Sequence, residues 1–343
     1  MPERRPGNRP TLEAVAALAG VSRATASRVV NGGDGVRAPL AGRVRDAIRD
    51  LGYVPNHAAR TLVTRRTGAV AVIIAEPEIR IFSDPYFSRQ IRGISKELTA
   101  HDTQLALLLV EDRGDYDRIE RYLAGGHVDG ALAFSLHTDD PLPAITRRIA
   151  VPTVYGGRPG WPGDVPYVDA DNRGGAREAV RYLLARGRKR IAHIAGPLDQ
   201  TSAADRLSGY RDVLPQADPA LVAEGDFTAA GGALAMERLL DGAAGIDAVF
   251  AGNDLMATGA LRVLRERGLA VPRDVALIGF DDTEPVAEAT DPPLTTVRQD
   301  IEGMGRLMAR LLLGILNANG GGGGRAVPGP VVTPTSLIRR ASA

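Results

Sequence analysis

The sequence predicts an α/β protein with a small all-helical module at its amino end. Beyond Thr67, short apolar runs alternate with polar or Gly/Pro junctions and amphipathic helices, the grammar of parallel sheets buried on both faces. Before that point, three helical patterns follow one another across tight junctions. Charge divides at the same place: 12 Arg face five acidic residues up to Arg66, whereas 30 Lys+Arg face 36 acidic residues beyond it. One part therefore suits a polyanion and the rest avoids it, although a solvated basic face has the same composition. The 343 residues are 44% hydrophobic, enough for two or three packed domains and too much for a disordered chain.

The absence of cysteine excludes disulfides, thiolate nucleophiles and Cys-based metal sites. The opening MPERRPGNRP lacks the apolar core of a signal peptide, and apolar stretches such as Leu105 to Val110 and Leu311 to Leu313 fall far short of a membrane span. A cytoplasmic protein without membrane contact is expected.

After a Pro- and Arg-rich arm over 1–10, expected to be disordered, Thr11 can cap a helix whose apolar positions Leu12, Val15, Ala16 and Ala19 keep one face. Gly20 stops it, and Ser22 caps a second helix with Ala26, Val29 and Val30 inward. Two short helices across a tight Gly turn form a helix-turn-helix, whose second helix places its first residues at base edges in the major groove. Arg23, Ala24 and Arg28 are the candidate readers, because a guanidinium can bond O6 and N7 of one guanine together. Ser22, Thr25 and Asn31 are short donors suited to phosphates, and Ser27 is a further DNA-binding candidate on the second helix. A third helix, Pro39 to Gly52, closes the core with Val44, Ala47, Ile48 and Leu51. Periodicity alone leaves a plain helical bundle as the alternative.

The strings TLEAVAALAGVSRATASRVVNG and LGYVPNHAARTL resemble the DNA-binding headpiece and hinge of the LacI/GalR family of bacterial transcription regulators. The resemblance implies a headpiece over 11–55 and a hinge and linker over 56–66. It further implies that Asn56 to Leu62, with Ala59 on the same segment, turns helical only on operator DNA beside its dimer mate, and that Leu62 enters the minor groove. An apolar wedge of that kind gives up stacking and gains a bent duplex that meets more protein. Ala26 stands where the family usually has Val, and Arg37 where a capping Ser is common, which weakens the start of the third helix by about 0.5–2 kcal/mol.

In the body, strands are expected at Ala69 to Ala75, Gln104 to Val110, Gly130 to Phe134, Val151 to Tyr155, Ile191 to Ala195, Ala248 to Ala251 and Val275 to Phe280. Ligands of such sheets lie beyond the carboxyl ends of the strands. No phosphate loop, HExxH, GxSxG or GxGxxG stands there, and the five histidines lack metal spacing. Gly174-Gly175 after Asp171-Asn172 is either a helix cap or an anion nest. What stands at the strand ends is Tyr86-Phe87, Arg206, Asp226-Phe227, Asn253 and Asp281-Asp282, with Gln299 further on. Planar hydrogen-bonding groups beside aromatic faces suit a polyhydroxylated or heterocyclic ligand. Taken singly, Asn253 or Asp281 could equally cap a helix and Phe227 could be core.

These strings also resemble the effector-binding core of the same family, which is similar to periplasmic sugar-binding proteins: two doubly wound α/β subdomains joined by three crossovers within 67–343. The implied division is about 67–166 with 300–323, and about 167–299 with 325–343. By the same resemblance Tyr86 and Phe87 line one wall, Phe227 is the stacking ring of the other, Arg206, Asn253 and Asp281 are polar effector ligands, and Gln299 is a crossover ligand. Gly157 and Arg158 replace a carboxylate of some members, and Trp161 has no assigned role. The resemblance implies a ligand-responsive repressor that binds a palindromic operator as a homodimer. No leucine heptad follows Leu337, so a tetramerisation helix is not expected. A sugar is the expected effector, with a purine or other metabolite as the alternative. A transport solute-binding protein shares the body's grammar but not the basic module. Catalysis is not expected, because Asp281 and Asp282, the one tempting carboxylate pair, should point apart along a strand end; no cofactor or metal is expected either. Replacing Leu62 with Ala should reduce operator bending and specific affinity while leaving effector binding intact. Circular-permutation gel shifts measure this, and an unchanged bend angle removes the wedge.

Overall fold

The computed structural model describes residues 10–30, 35–54, 66–161, 163–320 and 329–343. Asn31, Asn56, Ala59 and Leu62 lie outside these, as do nearly all of the arm and the hinge. The chain divides into two units, Met1–Thr67 and Gly68–Ala343.

The first unit contains α1 (Leu12–Ala19), α2 (Arg23–Val30) and α3 (Ala38–Leu51). Thr11 caps α1 by accepting the Ala14 N–H at 3.2 Å, and Ser22 Oγ accepts the Thr25 N–H at 3.1 Å. Gly20 ends α1 in the left-handed region at φ 62°, where a side chain is disfavoured. Arg37 makes no side-chain cap for α3, which relies on the early Pro39. Val15, Ala16, Ala19, Ala26, Val44 and Ala47 form the buried centre.

The second unit is built on two six-stranded sheets. The first contains β1 (Ala69–Ile74), β2 (Gln104–Leu109), β3 (Gly130–Phe134), β4 (Thr153–Gly156), β5 (Tyr167–Ala170) and β11 (Val331–Thr333), in the order β11-β5-β4-β3-β1-β2. The second contains β6 (Ile191–Ala195), β7 (Val222–Glu224), β8 (Ala248–Ala251), β9 (Ala276–Asp281), β10 (Thr295–Arg298) and β12 (Ser336–Ile338), in the order β12-β10-β9-β8-β6-β7. All pairings are parallel except β10 with β12. Within the first subdomain, the helices Pro85–Ala100 and Ile301–Gly320 pack backbone to backbone. A Cβ on Gly93 would lie 2.0 Å from the Glu302 carbonyl oxygen, and one on Gly305 2.3 Å from that of Gln90.

Two expected boundaries shift. β5 pairs with β4 and β11, so residues 167–170 belong to the first sheet and the chain first crosses at Asp171. β11 likewise holds 331–333 in the first sheet, which puts the last crossing between Thr333 and Ser336 rather than near 324. In both cases one more short strand extends the sheet before the chain leaves it. The middle crossing runs between Arg298 and Ile301.

Polar contacts span the cleft between the subdomains. Gln200 Nε2 donates to Glu76 Oε1 at 2.7 Å, Arg158 pairs with Asp205 at 2.7 Å, and Arg89 donates to the Asp282 carbonyl at 3.0 Å. His137 bridges the two sides, with Nδ1 2.7 Å from Asp199 Oδ2 and Nε2 3.7 Å from Glu76 Oε1. Asp140 adds a third carboxyl group nearby. Glu76 first, then Asp199, hold the imidazolium, and its pKa is pushed up to about 9. A folded pKa above the unfolded value means that the contribution is complete below about pH 6.5 and disappears as pH rises through about 9. The gap in melting temperature between wild type and His137→Phe should therefore narrow from pH 6 to pH 10; a gap that stays constant rules out the bridge.

Candidate functional site

The carboxyl ends of both sheets face one cavity of about 80 Å³. Tyr86, Phe87, Arg206, Phe227, Asn253, Asp281 and Gln299 all line it. Asn172 and Gln299, at two of the three crossings, line it as well.

Arg206, on the helix Thr201–Val213, is 5% exposed. A guanidinium so far from water needs a partner on every side. Its Nε donates to Asn172 Oδ1 at 2.9 Å, Nη1 donates to the Gly252 carbonyl, Nη2 lies 3.5 Å from Asp281 Oδ1, and the group sits 3.7 Å above the Phe280 ring. Burial raises the Asp281 pKa to about 6, against the pull of Arg206. Gln299 Nε2 donates to the same carboxylate at 2.6 Å.

Asp281 and Asp282 have φ of 103° and 50°. Two consecutive non-glycine residues at positive φ mark a strained strand end. The turn sends Asp281 into the cavity and Asp282 toward Arg298 (2.5 Å) and Arg340 (2.8 Å). The two carboxylates thus have separate partners.

Asn253 both caps and lines. Its Oδ1 accepts the Met256 N–H at 2.8 Å, starting the helix Asp254–Glu266, while Nδ2 donates to the Phe227 carbonyl at 2.9 Å. That second bond helps hold Phe227 at φ 65°. Its ring lies against Gly196, where a Cβ would approach to 2.2 Å, so Gly196 leaves room for the aromatic face. On the other wall, Asp84 Oδ1 accepts the Tyr86 N–H at 2.9 Å and sets the start of the helix Pro85–Ala100. Tyr86 and Phe87 meet edge to face at 5.4 Å. Burial raises the Tyr86 hydroxyl pKa and keeps it a donor.

Arg80, Asp84, Asp169, Asn172 and Trp161 also line the cavity, although none of them is assigned an effector role from the sequence. Trp161 stands edge-on to Tyr155 at 5.3 Å and so has both packing and rim positions. Asp169 accepts from the Arg158 N–H and from Asn172 Nδ2, which fixes the first crossing. Gly174-Gly175 is no anion nest: Asp171 Oδ1 accepts the Gly174 N–H at 2.8 Å as a cap, and Gly175 packs against Phe280 and Val297.

In the first unit, Ser22, Arg23, Ala24 and Arg28 are exposed, and Thr25 and Ser27 are half-buried. Arg23 is ion-paired with Glu13 at 2.6 Å. Among the described residues there is no cluster of metal-ligating side chains, and no helix is long and apolar enough to cross a membrane.

Residues 11–56 match the bacterial regulatory proteins of the lacI family, and residues 180–343 match a periplasmic binding protein-like domain. The HTH-type transcriptional regulator CelR of Thermobifida fusca is 51% identical over 317 residues, covering 91% of this chain and 92% of that protein. The ribose operon repressor of Escherichia coli K12 is 35% identical over 88% of this chain and 92% of its own length. Among solved structures, a CelR–cellobiose complex superposes with a TM-score of 0.77 at 46% identity, covering 98% of this chain and 100% of that one. A lac repressor dimer bound to operator gives 0.82 at 28% identity, covering 98% and 99%. With relatives 51% and 35% identical over about nine-tenths of its length and a headpiece that matches the family, the chain belongs to the lacI family of bacterial regulatory proteins.

Proposed function

We propose that this chain is a cytoplasmic transcriptional repressor that binds a palindromic operator as a homodimer and senses a neutral disaccharide of the cellobiose type, acting by binding rather than by catalysis. The observation that carries the effector class is the cavity lining: the rings of Phe227, Phe87 and Tyr86, the buried Arg206 guanidinium paired to Asp281, and the amides of Asn172, Asn253 and Gln299. A glucose unit presents an apolar face to an aromatic ring and pairs of hydroxyls to bidentate groups, and it brings no charge to be neutralised. The CelR–cellobiose complex supports the same choice. A purine could use Phe227 with Tyr86 opposite, and it serves as the second ligand of the test.

Dimerisation has support in the lac repressor dimer and in the edge strand β2, where Leu105, Leu107 and Leu109 form a partly exposed apolar row. On DNA, α2 offers Arg28 and the Arg23–Glu13 pair. Control by the ligand requires that it bind one cleft geometry better than another; a coupling of about 1–3 kcal/mol changes operator affinity roughly 5–150-fold.

Cellobiose should raise the melting temperature by mass action. Asp281→Ala should abolish the shift and Phe227→Ala should weaken it. A shift seen only with purines, or one that survives both substitutions, rejects the saccharide effector. On operator DNA selected from random sequence, Arg28→Ala should weaken the specific site by about 1–3 kcal/mol and relax base preference at one position per half-site. Uniform weakening on all sequences would assign Arg28 to phosphate instead.

A further inference from the structure

Arg80 lies in the helix Glu78–Ser83, just past the end of β1, with its side chain 13% exposed. One terminal nitrogen pairs with Glu76 Oε2 at 2.5 Å. Glu76 is 3% exposed and held in place by Ser135 Oγ at 2.5 Å and Gln200 Nε2 at 2.7 Å, so it serves as a fixed anchor. The guanidinium lies 5.3 Å from the centre of the Phe227 ring on the opposite wall and 5.6 Å from that of Phe87 on its own. Arg80 therefore occupies space above the aromatic face assigned to a sugar.

Two further facts make this more than packing. The Arg80 Nε is buried and has no hydrogen-bond partner among the described residues, and an unmet charged donor in a buried place is unfavourable. The cavity of about 80 Å³ is also well below the roughly 300–1,000 Å³ of ligand pockets, so a disaccharide must displace a wall group or part the walls. A planar group on a short helix, stacked across the cleft and anchored at one corner, can swing aside while keeping its ion pair.

We propose that Arg80 is a specificity-determining residue of the cleft, covering Phe227 when the cleft is empty and donating its Nε–H to a ligand oxygen when a saccharide takes that face. The assignment rests on the saccharide reading above. A ligand that lacks an acceptor there leaves the donor unmet, so Arg80 discriminates among sugars by their hydroxyl pattern. Lysine in its place keeps the charge and the reach to Glu76 but has neither the planar stack nor the Nε donor.

The test is calorimetric titration of the full-length chain and of Arg80→Lys and Arg80→Met with cellobiose and with its monodeoxy analogues. Both variants should bind cellobiose about ten-fold or more weakly, and one deoxy analogue that binds the wild type about ten-fold less well should show no further loss in Arg80→Met. Ligand-free melting temperatures close to wild type establish that the variants are folded. Equal or tighter binding of cellobiose by both variants overturns the assignment and leaves Arg80 a mere plug. Deoxy penalties that all persist in the variants overturn it too. A wild type that does not bind cellobiose is a separate result, which overturns the saccharide reading and this assignment with it.

Discussion

Arg206 carries a full charge at 5% exposure, and the layout of the cleft follows from meeting that charge. Its partners come from separate parts of the chain: Asn172 from the first crossing, the Gly252 carbonyl after β8, Asp281 at the end of β9, and the Phe280 ring beneath. Removing one member of a buried charged set commonly costs about 3–5 kcal/mol, because the rest stay buried without compensation. The strand ends are thereby drawn to one point. Gln299, from the second crossing, closes the set through Asp281. Two of the three joints between the subdomains thus contribute directly to the polar cluster that lines the cavity, so a ligand that rearranges this cluster acts on the joints without an intermediate. That physical link is what a sensor of this architecture requires.

Legibility in the sequence followed local signal. β3, β6 and β8 were readable to the residue because each is a short and almost wholly apolar run between polar or Gly junctions. β5 (YVDA), β7 (VAE), β10 (TTVR), β11 (VVT) and β12 (SLI) are three or four residues long, and each carries at least one polar position. They exist because neighbouring strands offer unpaired edges, which is information held in three dimensions. The shifted subdomain boundaries are the direct result.

The cavity was legible where planar polar groups and aromatic rings follow the strands, as with Phe227 after Gly225-Asp226 or Arg206 in SAADRLSGYRDVL. Arg80 and Glu76 carried no such mark. A six-residue helix has no period to read, and the partners that give Arg80 meaning, Phe227 and Gln200's contact with Glu76, lie more than a hundred residues away. In the headpiece both sequence departures kept their physical sense. Ala26 is fully buried as a small plug, and Arg37 leaves α3 without a side-chain cap.

The triple crossing also governs the order in which the molecule can be completed during synthesis. The first sheet needs β11, and the face of Pro85–Ala100 needs Ile301–Gly320, both made after nearly all of the second subdomain. The second sheet in turn waits for β12, which pairs Ile338 with Thr296, and for Ser342, whose hydroxyl donates to the Leu277 carbonyl and accepts the Thr295 N–H. Neither half can close early, so long-range pairing and an open sheet edge persist until β11 and β12 have been made. The headpiece is under no such constraint, since its three helices are contiguous in the first fifty-odd residues. A chain interrupted before Val331 therefore carries all three helices of the headpiece together with an unfinished sensor.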